Sequence, residues 1–446
     1  MSAVGYYYEH GDGVEQDKEK AVEWYMKAAE AGGDCAMLAV GYAYDHGEGV
    51  VQDKKKAIEW YLKAAEAGNG VAMNNMGYAY EHGNGVEQNL EKAVEWYRKA
   101  AEAGDTNAMF QIAYAYRQGE GVEQDYEKAM EWLRKGAEAG EPMTMCGLGL
   151  HYEKGYGVEK NMKAAIAWYE KAAEAGDASA MNNLGNVYSD AENDEYDLVK
   201  AVEWYKKAAE TGNADAMYDM GYAYEYGEGV EQNLEKAVEW YFKAAQKGNA
   251  ASMFALGMAY DFGDGLVRDL TAAAAWYEKA AVAGEAFAMY ALGTLYLNDE
   301  YSDKDETKAT EWYLRGAEAG DPSAMNGLGF SYDHGRGVKE NKEKAVEWYR
   351  KAAEAGDTDG MCNLAYNYLH GEGIEKNVEK GIEWLQKAVD MGASDAMFAF
   401  GVLYENGDGV PQDKEQALMW YRKAAEAGDK DAAEKVKELE GQAGDE

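Results

Sequence analysis

The amino-acid sequence predicts an all-α fold of the solenoid type, built from twelve units of 36 residues. Twelve tryptophans recur every 36 residues, from Trp24 to Trp420, without an insertion. A tyrosine column that starts at Tyr8 and a glycine column that starts at Gly32 follow the same spacing. A fixed period of this length is typical of repeat proteins. We therefore expect residues 1–430 to form a single array without a domain boundary.

Each unit contains two helical patterns. Met73, Met76 and Tyr80 follow the i, i+3, i+7 spacing of an apolar helix face. The same spacing recurs in the second half of the unit, where Trp96 and Ala100 lie on one face. Neither helix can bury its apolar face alone, so we expect neighbouring units to stack into a continuous core.

The limits of the second helix are marked by residue type. A glycine of the Gly32 column follows the helix and predicts a left-handed stop. Between the helices, Gly-x-Gly-Val, as at Gly83–Val86, predicts a tight loop. An Asp or Asn precedes the helix in every unit, where its side chain can cap free backbone N–H groups. This column comprises Asp17, Asp53, Asn89, Asp125, Asn161, Asp197, Asn233, Asp269, Asp305, Asn341, Asn377 and Asp413.

The combined pattern resembles a known repeat family. Ala-Met-x-x-Leu-Gly-x-x-Tyr, Gly-x-Gly-Val and Asp-x-x-Lys-Ala-x-x-Trp-Tyr-x-Lys-Ala-Ala-x-x-Gly together resemble the Sel1-like repeat, a tetratricopeptide-like helix pair, and Ala324–Gly356 shows it nearly whole. The resemblance covers the chain from end to end. It implies helix-turn-helix repeats in a right-handed superhelix and a role as a scaffold or adaptor. Two units replace the glycine loop, at 190–194 and 298–302, but keep its length, so the stack should continue.

Charge limits the classes of partner. The chain has 446 residues with 44 basic and 83 acidic side chains, which gives a net charge of −39. Nucleic-acid binding requires a basic surface and is excluded. No stretch of 18 apolar residues is present, so direct membrane insertion is not expected. The charge should repel other copies, which favours a monomer, and should speed the capture of basic partners.

The cysteines and the two ends of the chain lead to further expectations. Cys35, Cys146 and Cys362 lie in separate units, which argues against a disulfide framework and for a reducing compartment, the cytoplasm. Met1 lies in the methionine column, so the first unit is expected to start inside its first helix. Residues 431–446 are predicted to form a polar capping helix that frays from residue 441.

The candidate site follows from columns that vary between units. By resemblance to tetratricopeptide arrays, these positions on the first helix line a concave face rich in aromatic, amide and carboxylate groups. Such a face suits an extended or helical peptide with Lys or Arg side chains. The alternative is that these residues only pack against adjacent helices or contact solvent. The predicted partner-binding residues are Tyr42, Asn74, Tyr78, Phe110, Tyr114, Asn182, Tyr218, Tyr222, Phe254, Asn326, Tyr366, Glu81 and Glu225.

The sequence predicts no catalytic residue, no metal site and no cofactor. No catalytic or phosphate-binding motif is present. A histidine column (His10, His46, His82, His334 and His370) is spaced too widely for a shared zinc ion, and the methionine column fits the core. We therefore predict a non-catalytic scaffold for a protein or peptide partner. Two alternatives are a regulatory module of a larger protein and a binder of calcium or a small ligand at the divergent loops.

Overall fold

The computed structural model describes residues 1–443 and contains 25 α-helices and no strand within them, so the all-α solenoid prediction is confirmed. The first helices of the twelve repeats are α1 Ser2–His10, α3 Asp34–His46, α5 Gly70–His82, α7 Thr106–Gln118, α9 Pro142–Lys154, α11 Ala178–Ser189, α13 Ala214–Tyr226, α15 Ala250–Phe262, α17 Ala286–Leu297, α19 Pro322–His334, α21 Thr358–His370 and α23 Ser394–Asn406. The second helices are α2 Lys18–Glu30, α4 Lys54–Glu66, α6 Leu90–Glu102, α8 Tyr126–Glu138, α10 Met162–Glu174, α12 Leu198–Glu210, α14 Leu234–Gln246, α16 Leu270–Val282, α18 Glu306–Glu318, α20 Lys342–Glu354, α22 Val378–Asp390 and α24 Lys414–Glu426.

A last helix, α25 (Lys430–Ala443), follows the twelve pairs. It occupies the position where the sequence predicts a polar capping helix. The prediction that the tail frays from residue 441 falls partly on residues 444–446, which lie outside the described part of the chain.

The helices form two compact units, Met1–Ala216 and Met217–Glu446. Within each unit, the two helices of a repeat pack together and each second helix packs on the next first helix. First helices of neighbouring repeats also approach each other directly. In the first unit, α7 packs on α9. In the second unit, α17 packs on α19, α19 on α21, and α21 on α23. These first helices therefore lie side by side within their unit. A single array over residues 1–430 and a right-handed superhelix remain predictions.

The capping prediction is confirmed in all twelve second helices. In α6, Asn89 Oδ1 accepts a hydrogen bond from the Lys92 backbone N–H at 2.9 Å. At the other end of the helix, the Lys99 ammonium lies 4.3 Å from the centre of the Trp96 ring. This cation–π contact holds the lysine stem along the tryptophan column.

The two divergent loops complete their repeats without a left-handed residue. In the loop after α11, the Asn193 amide donates to the Val187 carbonyl at 3.0 Å and takes the place of the glycine turn. In the loop after α17, Tyr301 is buried and packs edge-on against Tyr296, with 5.5 Å between ring centres. Both following second helices begin at the expected residue, as predicted from the unchanged loop length.

Candidate functional site

The predicted partner-binding residues all lie on first helices, and none of the thirteen is buried. The most exposed are tyrosines: Tyr42, Tyr78, Tyr222 and Tyr366 keep between 40% and 51% of their surface accessible. The other nine are half-buried between neighbouring helices. These side chains therefore lie on the first helices at partly or largely accessible positions, and their place on a concave face remains a prediction.

In the second unit, four of the predicted residues meet at one cavity of about 300 Å³. Tyr218, Tyr222 and Phe254 supply rings, and Glu225 supplies a carboxylate. Sequence reasoning missed the other polar and aromatic lining residues, which come from α13, from Tyr241 of α14, from the loop after α15 and from the start of α17. This cavity, called the tyrosine cavity below, is lined in addition by Tyr226, Asp264, Glu285 and Phe287, together with apolar side chains.

A second cavity of about 500 Å³ lies beside it and shares Phe254, Met258 and Phe287 with its wall. Most of its remaining lining is apolar, including Leu295 and Leu297. We call it the leucine cavity. Its carboxyl group, Asp261, accepts a hydrogen bond from the Tyr277 hydroxyl at 3.3 Å, and burial raises the pKa of Asp261.

The first unit contains a smaller cavity of about 260 Å³ that brings together Tyr42 and Tyr78. Asp45, His46 and Asn75 add polar groups to its lining. The predicted residues that lie outside these three cavities are Asn74, Glu81, Phe110, Tyr114, Asn182, Asn326 and Tyr366.

The two predicted carboxylates also have a structural contact that sequence reasoning missed. Glu225 accepts a 2.5 Å hydrogen bond from the Tyr241 hydroxyl of the second helix, and Glu81 accepts the equivalent bond from Tyr97. Burial, followed by this bond, raises the pKa of Tyr241. In both bonds the accepting oxygen is Oε2.

The predicted amides differ in their contacts. Asn326 Oδ1 accepts a hydrogen bond from Asn363 at 2.9 Å. By contrast, Oδ1 of Asn74 and Oδ1 of Asn182 have no hydrogen-bond partner among residues 1–443. Both of these oxygen atoms are buried.

The histidines are held by their own helices. His46 stacks on Tyr42 at 4.0 Å between ring centres, and its Nδ1 donates to the Tyr42 carbonyl at 3.1 Å. Within residues 1–443, no group of three or more His, Cys, Asp and Glu side chains is placed to hold a metal ion. His151, outside this column, is buried and contacts the Tyr156 carbonyl through Nδ1 at 2.9 Å, and burial lowers its pKa.

Carboxylates of the loop after α17 contact basic side chains. Asp299 pairs with Lys304, and Glu300 pairs with Arg268 at 2.6 Å. These ion pairs occupy oxygens that a calcium ion would need.

No helix in the described part of the chain is long and apolar enough to cross a membrane. The architecture and surfaces above define an α-solenoid protein whose first helices carry exposed rings beside carboxylates. The model of the Sel1 repeat matches the chain twelve times, and the chain belongs to this family. The matched residues are 1–33, 36–69, 70–105, 106–141, 142–177, 178–213, 214–249, 250–284, 286–321, 322–357, 358–392 and 394–429.

The chain is also similar to solved structures. The chain is similar to c5321, a protective antigen of uropathogenic Escherichia coli with an SLR fold, at 32% identity and a TM-score of 0.60 over 94% of this chain and 90% of that one. A Sel1 repeat protein from Oxalobacter formigenes shares 30% identity over 68% of this chain and 88% of that one, with a TM-score of 0.49. A comparison with curated proteins finds no match. Proteins of the Sel1 repeat family are generally scaffolds for protein interactions, with a non-catalytic fold.

Proposed function

We propose that this chain is a non-catalytic scaffold that binds a basic protein or peptide along an acidic, aromatic concave face formed by its first helices. The observation that carries the proposal is the recurrence of exposed tyrosines beside carboxylates on the first helices of both units. Tyr78 precedes Glu81 by one helical turn, and Tyr222 precedes Glu225 in the same way. A ring face and a carboxylate in this arrangement favour a cation with an apolar stem, such as a Lys or Arg side chain.

The chain itself contains an example of this contact. The Arg117 guanidinium lies 5.0 Å from the centre of the Tyr114 ring on the same helix. A partner's Arg could contact Tyr78 or Tyr222 in the same way, because both rings are exposed. The net charge of −39 supports this preference, since a negative surface speeds encounter with basic proteins at low salt.

The remaining parts of the proposal concern the oligomeric state and the cellular location of the protein. We propose a monomer, because the same net charge acts between two copies as repulsion. We propose a cytoplasmic location, because the three cysteines lie in separate repeats and are free thiols.

Affinity capture from native extract tests the proposal. The full chain is compared with Tyr78→Ala/Tyr114→Ala/Tyr222→Ala, and bound proteins are eluted with increasing salt. We expect a basic partner that the triple variant fails to hold and that salt releases, because screening weakens exposed ion pairs.

A second triple variant, Val51→Ala/Val267→Ala/Val282→Ala, is the matched control. These valines are more than 80% exposed and lie outside the first helices. A partner lost equally from both triple variants, or retained by the tyrosine variant, would contradict binding along the first helices.

A further inference from the structure

We infer that the tyrosine cavity receives an arginine side chain of the partner and that the leucine cavity receives an apolar side chain beside it. The inference rests on the proposed function and specifies the chemistry that the second unit recognises. Both cavities lie within repeats seven to nine and share one wall. The partner would therefore be a peptide in which an Arg and a large apolar residue lie close in sequence.

Aromatic rings surround the tyrosine cavity. The Tyr222 and Tyr226 rings lie 4.5 Å apart, and 40% and 57% of their surfaces are exposed. Phe287 is 43% exposed and contacts the Phe254 ring at 5.5 Å. A guanidinium plane can stack on such rings while its aliphatic stem covers their apolar edges.

The carboxylates around these rings are not neutralised by a basic side chain, although Glu225 accepts a hydrogen bond from the Tyr241 hydroxyl. Glu225, Asp264 and Glu285 form no ion pair with any described Lys, Arg or His, and no basic side chain lines the cavity. Glu285 precedes α17 but makes no capping hydrogen bond with its side chain. Three carboxylates favour a guanidinium, which offers five N–H donors, over a quaternary ammonium, which offers none.

Comparison between the repeats shows that these lining residues are unusual for the chain. Tyr226 and Phe262 occupy the column that holds histidine in five other repeats. Phe287 is the one aromatic residue in its column, where the other repeats have small, polar or aliphatic residues. The large rings of repeats seven to nine therefore go beyond the requirements of the repeat fold.

The leucine cavity defines the neighbouring contact. Leu295, Leu297 and Met258 contribute apolar surface, and its carboxyl group is already bonded to Tyr277. An apolar side chain placed there gains free energy from burial against these side chains. A Leu, Ile, Met or Phe near the Arg would satisfy this requirement.

Labelled, capped peptides of sequence Gly-Arg-Ala-Leu-Gly test the inference by fluorescence anisotropy with the full chain. Replacing Arg with neutral citrulline should weaken binding about ten-fold, because a charged hydrogen-bond donor is lost. Replacing Leu with Ser should also weaken it. Tighter binding of a trimethyl-lysine peptide, or no binding of the Arg peptide at about 1 mM, would overturn the inference.

Two variants connect the binding to the cavity. Glu285→Gln preserves size and removes one charge, and Phe287→Ala removes one ring of the shared wall. We expect each to weaken the Arg peptide about ten-fold. Glu141→Gln is the matched control, because Glu141 precedes α9 at the same repeat position in the first unit and also makes no capping hydrogen bond. Equal loss in all three variants would overturn the inference.

The two proposals can fail separately. If the captured partner depends on Tyr78 and its neighbours, but Glu285→Gln and Phe287→Ala bind the Arg peptide normally, the cavity assignment is wrong and the scaffold function remains. If no basic partner is captured while the Arg peptide binds and the two variants weaken it, the cavity assignment holds and the scaffold function is wrong.

Discussion

In ten of the twelve repeats, a second-helix tyrosine lies over a first-helix glycine. A Cβ atom added to Gly77 would lie 2.5 Å from the Tyr97 ring, closer than a carbon contact allows. The hydroxyl of the same tyrosine donates to Glu81 on the first helix. The two remaining repeats replace tyrosine with Leu133 or Leu385 and the glycine with an alanine. Neither of these repeats has a carboxylate at the third position: one has arginine there and the other leucine. The glycine and the tyrosine therefore change together, whereas the carboxylate is also replaced, by Ser189 and Leu297, in two repeats that keep both.

This coupling predicts the outcome of a mutant cycle. Gly77→Ala should lower the free energy of unfolding by about 1–3 kcal/mol, because the methyl group overpacks the ring. Combining it with Tyr97→Leu and Glu81→Leu should recover at least about 1 kcal/mol of the summed loss, because the triple variant reproduces the alanine–leucine arrangement. Urea unfolding of the single and combined variants measures the coupling. Strictly additive losses would contradict it.

The sequence predicted the caps more fully than the cores. A helix start requires a short acceptor at one defined position, so Asn89 and its eleven counterparts could be recognised one column at a time. The role of Glu81 required comparing three columns together. For that reason the sequence analysis assigned the Glu81 carboxylate to partner binding and missed the hydrogen bond that it accepts from Tyr97. The cavities were also beyond prediction, because they depend on how lining residues of three neighbouring first helices meet in space.

At the scale of the element, the loop between helices connects one repeat to the repeat before it. Gly83 ends α5 with φ at 73°, and Gly85 follows with φ at 74°. A Cβ atom at Gly85 would lie 2.4 Å from the Lys54 carbonyl oxygen at the start of α4. Gly104, after α6, also has a positive φ, 93°, but open space surrounds it. The two positions therefore need glycine for different reasons. Position 104 needs only a positive φ angle, whereas position 85 needs a positive φ angle and also space for the close approach of the loop to α4.

Substitution should separate these requirements. Gly104→Ala should cost about 1–2 kcal/mol, the usual cost of a left-handed alanine. Gly85→Ala should cost clearly more, because the loop must also move away from α4. Amide hydrogen exchange shows where the structure is perturbed. Amides in the first turn of α4 should exchange faster in Gly85→Ala only. Equal stability and equal exchange in the two variants would contradict a contact role for Gly85.

At the scale of the whole molecule, acidic side chains far outnumber basic ones. The 83 acidic side chains exceed the 44 basic ones, and many of the basic ones lie over aromatic rings, as Lys99 does over Trp96. Repulsion among the remaining carboxylates opposes the folded state. The same excess is what the proposed function uses to attract a basic partner.

Salt should therefore stabilise the chain in the absence of a partner. Raising NaCl from about 20 mM to about 300 mM shortens the screening length, so the melting temperature should rise. Glu95→Gln/Glu131→Gln/Glu239→Gln removes three charges from exposed positions on second helices. This variant should melt higher at low salt and respond less to added salt. A melting temperature that falls with salt would indicate that ion pairs outweigh the repulsion.

All twelve repeats keep the same length, including the two whose loops lack glycine. Position 85 therefore meets position 54 just as position 121 meets position 90, one repeat later. Removing 36 consecutive residues within one of the two units would bring chemically equivalent residues together at the new junction. A recombination event between two repeats of the gene would do the same while preserving the reading frame. The number of repeats can thus change by inheritance of whole repeats, without redesign of the helices that remain.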